Sequence, residues 1–262
     1  MHRDPSSHKG ENGKVAVIGG SKFMHGAPLF SLLAAEASGA DLLFACIPAC
    51  HAEAAKTVSL NVQVHPFRGD DLRAADVEPI LELLATMDCA VIGPGIAYAD
   101  TQSMKAIRDI VAEAPCTLVL DAGALQPETI SLLQGKTVVL TPHRAELERM
   151  DVAVDDLAEC AANARVTIVL KGPTDIIANP EGETLEITGG NAGLSVGGTG
   201  DALAGLIAGL LAQGTDQEDA AKLACTIIKK AAEELYPEYG YAFGAGRVIG
   251  KIPRLLHAFT DE

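Results

Sequence analysis

Asp201 closes a glycine run, Gly197-Gly198-Thr199-Gly200-Asp201, that leads directly into an apolar segment from Ala202 to Ala212. Glycines at that spacing let successive backbone amides point inward where a helix begins and its dipole is positive, which is the chemistry of anion binding. A carboxylate beside such a hole repels a bound phosphate unless it takes a proton from the hydroxyl that attacks that phosphate, the base role of phosphoryl transfer. A plainer reading stays open, in which Asp201 simply caps the helix. The hole has no lysine of its own in this stretch. Gly205 and Gly209, one turn apart, are expected to bring the helix close to a sheet and hold Asp201 rigidly.

Other glycine-rich places carry less. Val17-Ile-Gly-Gly-Ser21 and Gly93-Pro94-Gly95 follow apolar runs, but neither has the G-x-G-x-x-G spacing of a dinucleotide site, and Tyr98 stands where a third glycine belongs. Gly135-Lys136-Thr137 resembles the end of a P-loop, yet Ile130 replaces its first glycine and a strand pattern follows. Cys46-x-x-x-Cys50-His51 lacks the second ligand pair of a structural zinc site, so no protein metal ligand is expected. His143 and Lys171, each at the end of an apolar run, suit a site but equally suit ordinary loop positions. Asp121, in Leu-Asp-Ala-Gly, is a second-rank candidate to orient a substrate or metal.

The elements that must hold these residues follow from periodicity. Short runs rich in β-branched residues predict strands at Val15 to Ile18, Leu42 to Cys46, Val62 to His65, Cys89 to Ile92, Leu118 to Leu120, Thr137 to Leu140 and Thr167 to Leu170. Helical patterns such as Pro28 to Ser38 and Val77 to Thr86 lie between them, which predicts a mainly parallel sheet covered on both faces. Asp175 to Ala178 and Thr184 to Ile187 flank the turn sequence Asn179-Pro-Glu-Gly182 and predict an antiparallel edge hairpin. Two last helices are expected near Gln217 to Leu235 and Val248 to Ala258. Ligands should gather at the carboxyl ends of the strands.

Bulk properties narrow the partners. With 262 residues, 48% of them hydrophobic, the chain can bury a large core, and one domain over 1–262 is expected. A formal net charge of −15 repels phosphodiester backbones and anionic lipid, which argues against nucleic acid and membrane partners. The polar start MHRDPSSHKGENG has no signal-peptide pattern, so a cytoplasmic location is expected. Six scattered cysteines suit reduced core thiols.

An ordered set of motifs adds to this. His8-Lys-Gly, Val17-Ile-Gly-Gly-Ser21, Gly26-Ala-Pro28, Ile92-Gly-Pro-Gly95, Leu120-Asp-Ala-Gly-Ala124, Leu140-Thr-Pro-His143, Val169-Leu-Lys-Gly-Pro-Thr174 and Gly189-Gly-Asn-Ala-Gly through Gly205 run in order over most of the chain. Together they resemble the ADP/ATP-dependent NAD(P)H-hydrate dehydratases of the ribokinase-like group.

The resemblance implies a three-layer α/β/α ribokinase-like fold and a metabolite-repair lyase. Its substrates would be hydrated NADH or NADPH and, as co-substrate, ADP or ATP with Mg²⁺. By motif, the hydrate would meet Ala27, Gly95, His143 and the base Asp201. The nucleotide would lie along Lys171, Gly172, Pro173, Thr174 and Asp175, with Gly197, Gly198, Thr199 and Gly200 at its phosphate end. Asn191 can donate an amide hydrogen bond to either ligand. The resemblance also implies a homo-oligomer, such as a tetramer, and a separate epimerase protein, because larger members carry that activity in an added domain. Gly244-Ala-Gly-Arg-Val-Ile-Gly-Lys-Ile-Pro253 departs from the family pattern by lacking its acid. A ribokinase-like kinase for a small alcohol such as a thiamin precursor, or a nucleotide-binding regulator without chemistry, stays open as an alternative.

Overall fold

The computed structural model describes residues 5–260; the first four residues of the polar amino-terminal stretch lie outside them. Nine strands form one sheet: β1 Lys14–Ile18, β2 Leu42–Ile47, β3 Val62–Pro66, β4 Cys89–Ile92, β5 Thr117–Leu120, β6 Val138–Leu140, β7 Thr167–Leu170, β8 Asp175–Ala178 and β9 Thr184–Ile187. Their spatial order is β3-β2-β1-β4-β5-β6-β7-β8-β9. The first seven run parallel, and β8 and β9 each pair antiparallel with the strand before, as the hairpin sequence predicts. The helices are α1 Gly26–Ala37, α2 Ala52–Val58, α3 Ala74–Leu84, α4 Thr101–Glu113, α5 Arg144–Arg149, α6 Leu157–Ala164, α7 Thr199–Ala212, α8 Gln217–Tyr239, α9 Ala245–Ile249 and α10 Ile252–Thr260. None of the described helices is long and apolar enough to cross a membrane.

Strand alternation splits the core in two, because successive side chains leave opposite faces of a sheet. Val15, Val17, Val91, Val119, Val139 and Val169 pack with α1, α7 and α8. Ala16, Ile18, Ala90, Ile92, Leu118 and Leu120 pack with α3, α4 and α6. Both faces are covered, which is why the central strands read as continuous apolar runs rather than alternating ones.

Four expectations change on inspection. Gly205 and Gly209 make their close approach to α1 rather than to the sheet: a Cβ at Gly205 would overlap the Ser31 carbonyl, and one at Gly209 would overlap Ser38 Oγ. Helix α3 starts three residues before Val77, because the Asp76 carboxylate accepts the Arg68 and Arg73 amides, each at 2.9 Å, and organises the turn before the apolar pattern begins. Helix α8 runs past Leu235 through Pro237 and stops at Gly240, whose φ is +55°. The single last helix is two, α9 and α10, broken at Gly250 and Lys251.

The strand order reverses between β1 and β4, so the chain leaves those two carboxyl ends in opposite directions and opens a crevice there. Gly19 and Gly20 follow β1 and Gly93 to Gly95 follow β4.

Candidate active site

The glycine run forms the start of α7. Gly198 takes the position before the first helical residue with φ +98°, in the left-handed region, and a Cβ there would lie 2.5 Å from the Phe30 ring. The first helical bond runs from the Ala202 amide to the Gly198 carbonyl at 2.9 Å, so the amides of Thr199, Gly200 and Asp201 precede the ladder at the positive end of the dipole. Asp201 is therefore not the cap. It stands in the first turn, and its own carbonyl accepts the Ser31 hydroxyl at 2.9 Å, which ties the start of α7 to α1.

Burial pushes the Asp201 carboxyl up to about 7, and the Asp121 and Glu146 carboxylates push the same way against the pull of the Lys171 ammonium. Its protonation therefore changes near neutrality, which suits a general base.

Lys171 lies closer to this hole than the sequence indicates. It leaves β7 with its amide bonded to the Pro142 carbonyl at 2.8 Å, and its Nζ meets Asp121 Oδ1 at 2.7 Å and Glu146 Oε2 at 3.7 Å. A Cβ placed on Gly200 would sit 3.2 Å from that Nζ, so the amide-lined hole has a lysine at its edge. Burial works against its charge, but the neighbouring Asp121 and Glu146 carboxylates hold the ammonium above its ordinary value. Thr141 Oγ1 donates to Asp121 Oδ1 at 2.8 Å and fixes that carboxylate.

His143 and Glu146 form a reciprocal cap at the start of α5. The His143 amide donates to Glu146 Oε2 at 2.8 Å, and the Glu146 amide donates to His143 Nδ1 at 3.1 Å. Because Nδ1 accepts, the neutral ring carries its proton on Nε2, which lies 3.5 Å from Glu146 Oε1 on a half-exposed side chain. The spacing of a helix-starting residue and a glutamate three positions later was the signal that could have found Glu146.

A cleft of about 760 Å³ opens beside the start of α7. Of the expected residues, His143, Lys171, Gly172, Pro173, Asp175, Asn191, Thr199 and Gly200 line it; Ala27, Gly95, Thr174, Gly197, Gly198 and Asp201 do not. Several of the lining side chains are occupied within the protein. Asn191 Oδ1 accepts the Gly193 amide at 2.9 Å and its Nδ2 donates to the Ala232 carbonyl at 2.8 Å. Thr199 Oγ1 lies 2.8 Å from the Leu194 carbonyl and 3.0 Å from that of Val196. Asp175 Oδ1 accepts the Gly172 amide at 2.9 Å, and Oδ2 lies 3.3 Å from Lys229 Nζ. These three hold loops in place, because their polar atoms already have partners inside the protein. Apolar walls come from Leu194, Leu203 and Ile228. Sequence reading missed Lys229, although a lysine at a position where α8 otherwise buries alanine and isoleucine was a visible signal.

The other expected contacts gather at the crevice between β1 and β4. A Cβ on Gly95 would lie 3.3 Å from the Ala27 Cβ, so these two residues face each other. The Gly20 amide donates to the Pro94 carbonyl at 2.7 Å and closes the two strand ends together. Gly93, with φ +115°, packs so closely that a Cβ would overlap the Asp121 carbonyl and reach Ala124 N at 2.6 Å. The backbone holding Gly95 thus rests on the residue whose carboxylate holds Lys171. Cys46 is buried in β2 while Cys50 is exposed, and His51 Nε2 is within 3.1 Å of the Ser21 and Lys22 carbonyls.

The NAD(P)H-hydrate dehydratase family model matches residues 15–254. This chain belongs to that family. The ADP-dependent (S)-NAD(P)H-hydrate dehydratase of Cenarchaeum symbiosum is 33% identical over 98% of this chain and 93% of its own length. The ADP/ATP-dependent NAD(P)H-hydrate dehydratase of Bacillus subtilis, whose structure was solved from crystals grown with ATP and Mg²⁺, is similar with a TM-score of 0.82 and 28% identity, covering 98% of this chain and 94% of that one. A ribokinase from Thermotoga maritima shares the fold alone, with a TM-score of 0.65 at 14% identity over 95% of this chain and 100% of its own. The dehydratase fold is therefore ribokinase-like, as the ordered motifs imply.

Proposed function

We propose that this chain returns hydrated NADH and NADPH to their reduced forms at the expense of ADP or ATP, with Asp201 as the base. The observation that carries the reading is the Asp201 carboxyl, pushed up to about 7 at the amide-rich start of α7 with the Lys171 ammonium nearby. The nucleotide lies in the cleft along Lys171, Gly172 and Pro173 and arrives as its magnesium complex. Its terminal phosphoryl group faces the amides of Gly197 to Gly200 and the Lys171 ammonium, which stabilise charge as it moves. The hydrated ring enters from the crevice side, against Ala27, Gly95 and the Nε2 proton of His143.

Asp201 takes the proton of the ring hydroxyl as its oxygen attacks the terminal phosphorus, and the bond to the rest of the nucleotide breaks. The phosphate then leaves with the carbon–oxygen electron pair, helped by the lone pair of the ring nitrogen. Loss of a proton from the adjacent ring carbon restores the dihydronicotinamide. Hydroxide is a poor leaving group and phosphate a good one, so nucleotide cleavage drives the dehydration. We place the reaction in the cytoplasm, in a homo-oligomer working together with an epimerase activity.

The test is incubation with hydrated NADH and hydrated NADPH, each with ADP and with ATP, following reduced-nicotinamide absorbance and inorganic phosphate. Recovery of absorbance with one phosphate per ring supports the reading. An accumulating phosphoester, the outcome of a kinase, would contradict it.

A further inference from the structure

Two walls of the cleft are short turns, Gly172 to Asp175 and Gly189 to Asn191. Both are tied to one stretch of α8. Lys229 Nζ lies 3.3 Å from the Gly172 carbonyl, 3.0 Å from the Pro173 carbonyl and 3.3 Å from Asp175 Oδ2. An ammonium has three protons, and these three acceptors match them, so Lys229 has none to offer a ligand. Its stem also borders the other turn: a Cβ on Gly190 would lie 3.2 Å from Lys229 Cγ. One helical turn further on, the Ala232 carbonyl accepts Asn191 Nδ2 at 2.8 Å and Glu233 Oε1 accepts the Gly190 amide at 3.0 Å.

A lysine only 4% exposed is costly to bury, and an apolar residue of equal size would serve packing as well or better. What an apolar residue cannot do is donate to the carbonyls of the Gly172 to Asp175 turn and fix its distance from α8. We propose that Lys229 is a positioning residue for the nucleotide, strapping the Gly172 to Asp175 wall to the same stretch of α8 that holds the other wall through Glu233 and the Ala232 carbonyl, so that the cleft is formed before ligand arrives. This rests on the reading of the cleft as the nucleotide site. A preformed cleft binds more tightly because the turns lose no further freedom on binding.

Lys229→Met keeps the stem and removes the three donors. The expected result is a rise of about tenfold or more in KM for the magnesium nucleotide, with KM for the hydrate within about twofold of wild type. Lys229→Arg should recover part of that loss. A residue that served folding alone would lower the active fraction, and so kcat, and leave both KM values unchanged. Should Lys229→Met not fold, Glu233→Ala, at a partly exposed position, releases the Gly190 turn and should raise nucleotide KM alone by about threefold.

Ile228→Trp, which fills the cleft, separates the proposal from the reading beneath it. If Ile228→Trp raises nucleotide KM while the Lys229 and Glu233 variants leave it unchanged, the strap is wrong and the cleft stands. If none of the three moves nucleotide KM, both fall.

Discussion

The two sides of Asp201 are built on opposite principles. On the cleft side, two turns are held by polar side chains: Lys229, Asp175, Asn191 and Glu233 each bond to backbone. On the crevice side, backbone packs directly on backbone, with glycine where no side chain would fit, as at Gly93 against Asp121 and Ala124. A nucleotide's charged tail is recognised by amides and an ammonium, so its site needs donors at fixed places. An uncharged hydrated ring is recognised by shape, so its site needs walls that do not yield. Asp121 and Lys171 join the two sides, because Gly93 rests on the Asp121 backbone while the Asp121 carboxylate holds Lys171 at 2.7 Å.

Substitutions should respect this division. Asp201→Asn removes the proposed base and neither wall, so kcat should fall by about a thousandfold or more while both ligands still bind by calorimetry. The same change should stabilise the protein in a pH-dependent way. The folded carboxyl is raised to about 7 from an unfolded value near the usual 3.8. Stability from its protonated form is therefore complete below the unfolded value and lost as pH rises through the folded one. The gain in Tm from Asp201→Asn should accordingly be larger at about pH 8 than at about pH 4.

Next in size, Gly93→Ala forces a side chain into the Asp121 backbone at φ +115°. Melting temperature should drop by several degrees, and KM for the hydrate should rise about tenfold with nucleotide KM little changed. If nucleotide KM rises equally, the two walls are not separable. Lys171→Met acts at their junction. It removes the cation beside Gly200 and should lower kcat/KM for nucleotide by about tenfold. The smallest effect is expected of Asn191→Ala, a rise of about threefold in nucleotide KM alone, since that side chain holds a turn and touches no reacting atom.

The fold is largely legible in the sequence because its central strands are buried on both faces and read as unbroken apolar runs, and because Asn179-Pro-Glu-Gly182 marks the hairpin. Asp201 was legible for the same kind of local reason, glycines followed by an apolar helix. What escaped was set by tertiary neighbours. Nothing near Lys171 in sequence shows that its ammonium ends beside Gly200, fifty residues from the Asp121 carboxylate that holds it. Asn191 and Thr199 line the cleft, and what the sequence does not show is that their polar groups also bond within the fold. Lys229 was hidden in the reverse way, as a charge that reads as solvated until its helix is seen to bury it.

The pH dependence of kcat/KM tests the central claim most directly, since it reports the free enzyme's essential base. The account predicts that activity rises with pH through an acid limb near 7, as the Asp201 carboxyl ionises. In Lys171→Met the limb should move to higher pH, because the ammonium that favours the ionised form is gone; in Asp121→Asn it should move lower, because an opposing carboxylate is gone. A flat profile between about pH 5 and pH 9, or a limb that stays in place in both variants, would contradict the assignment of Asp201 as the base.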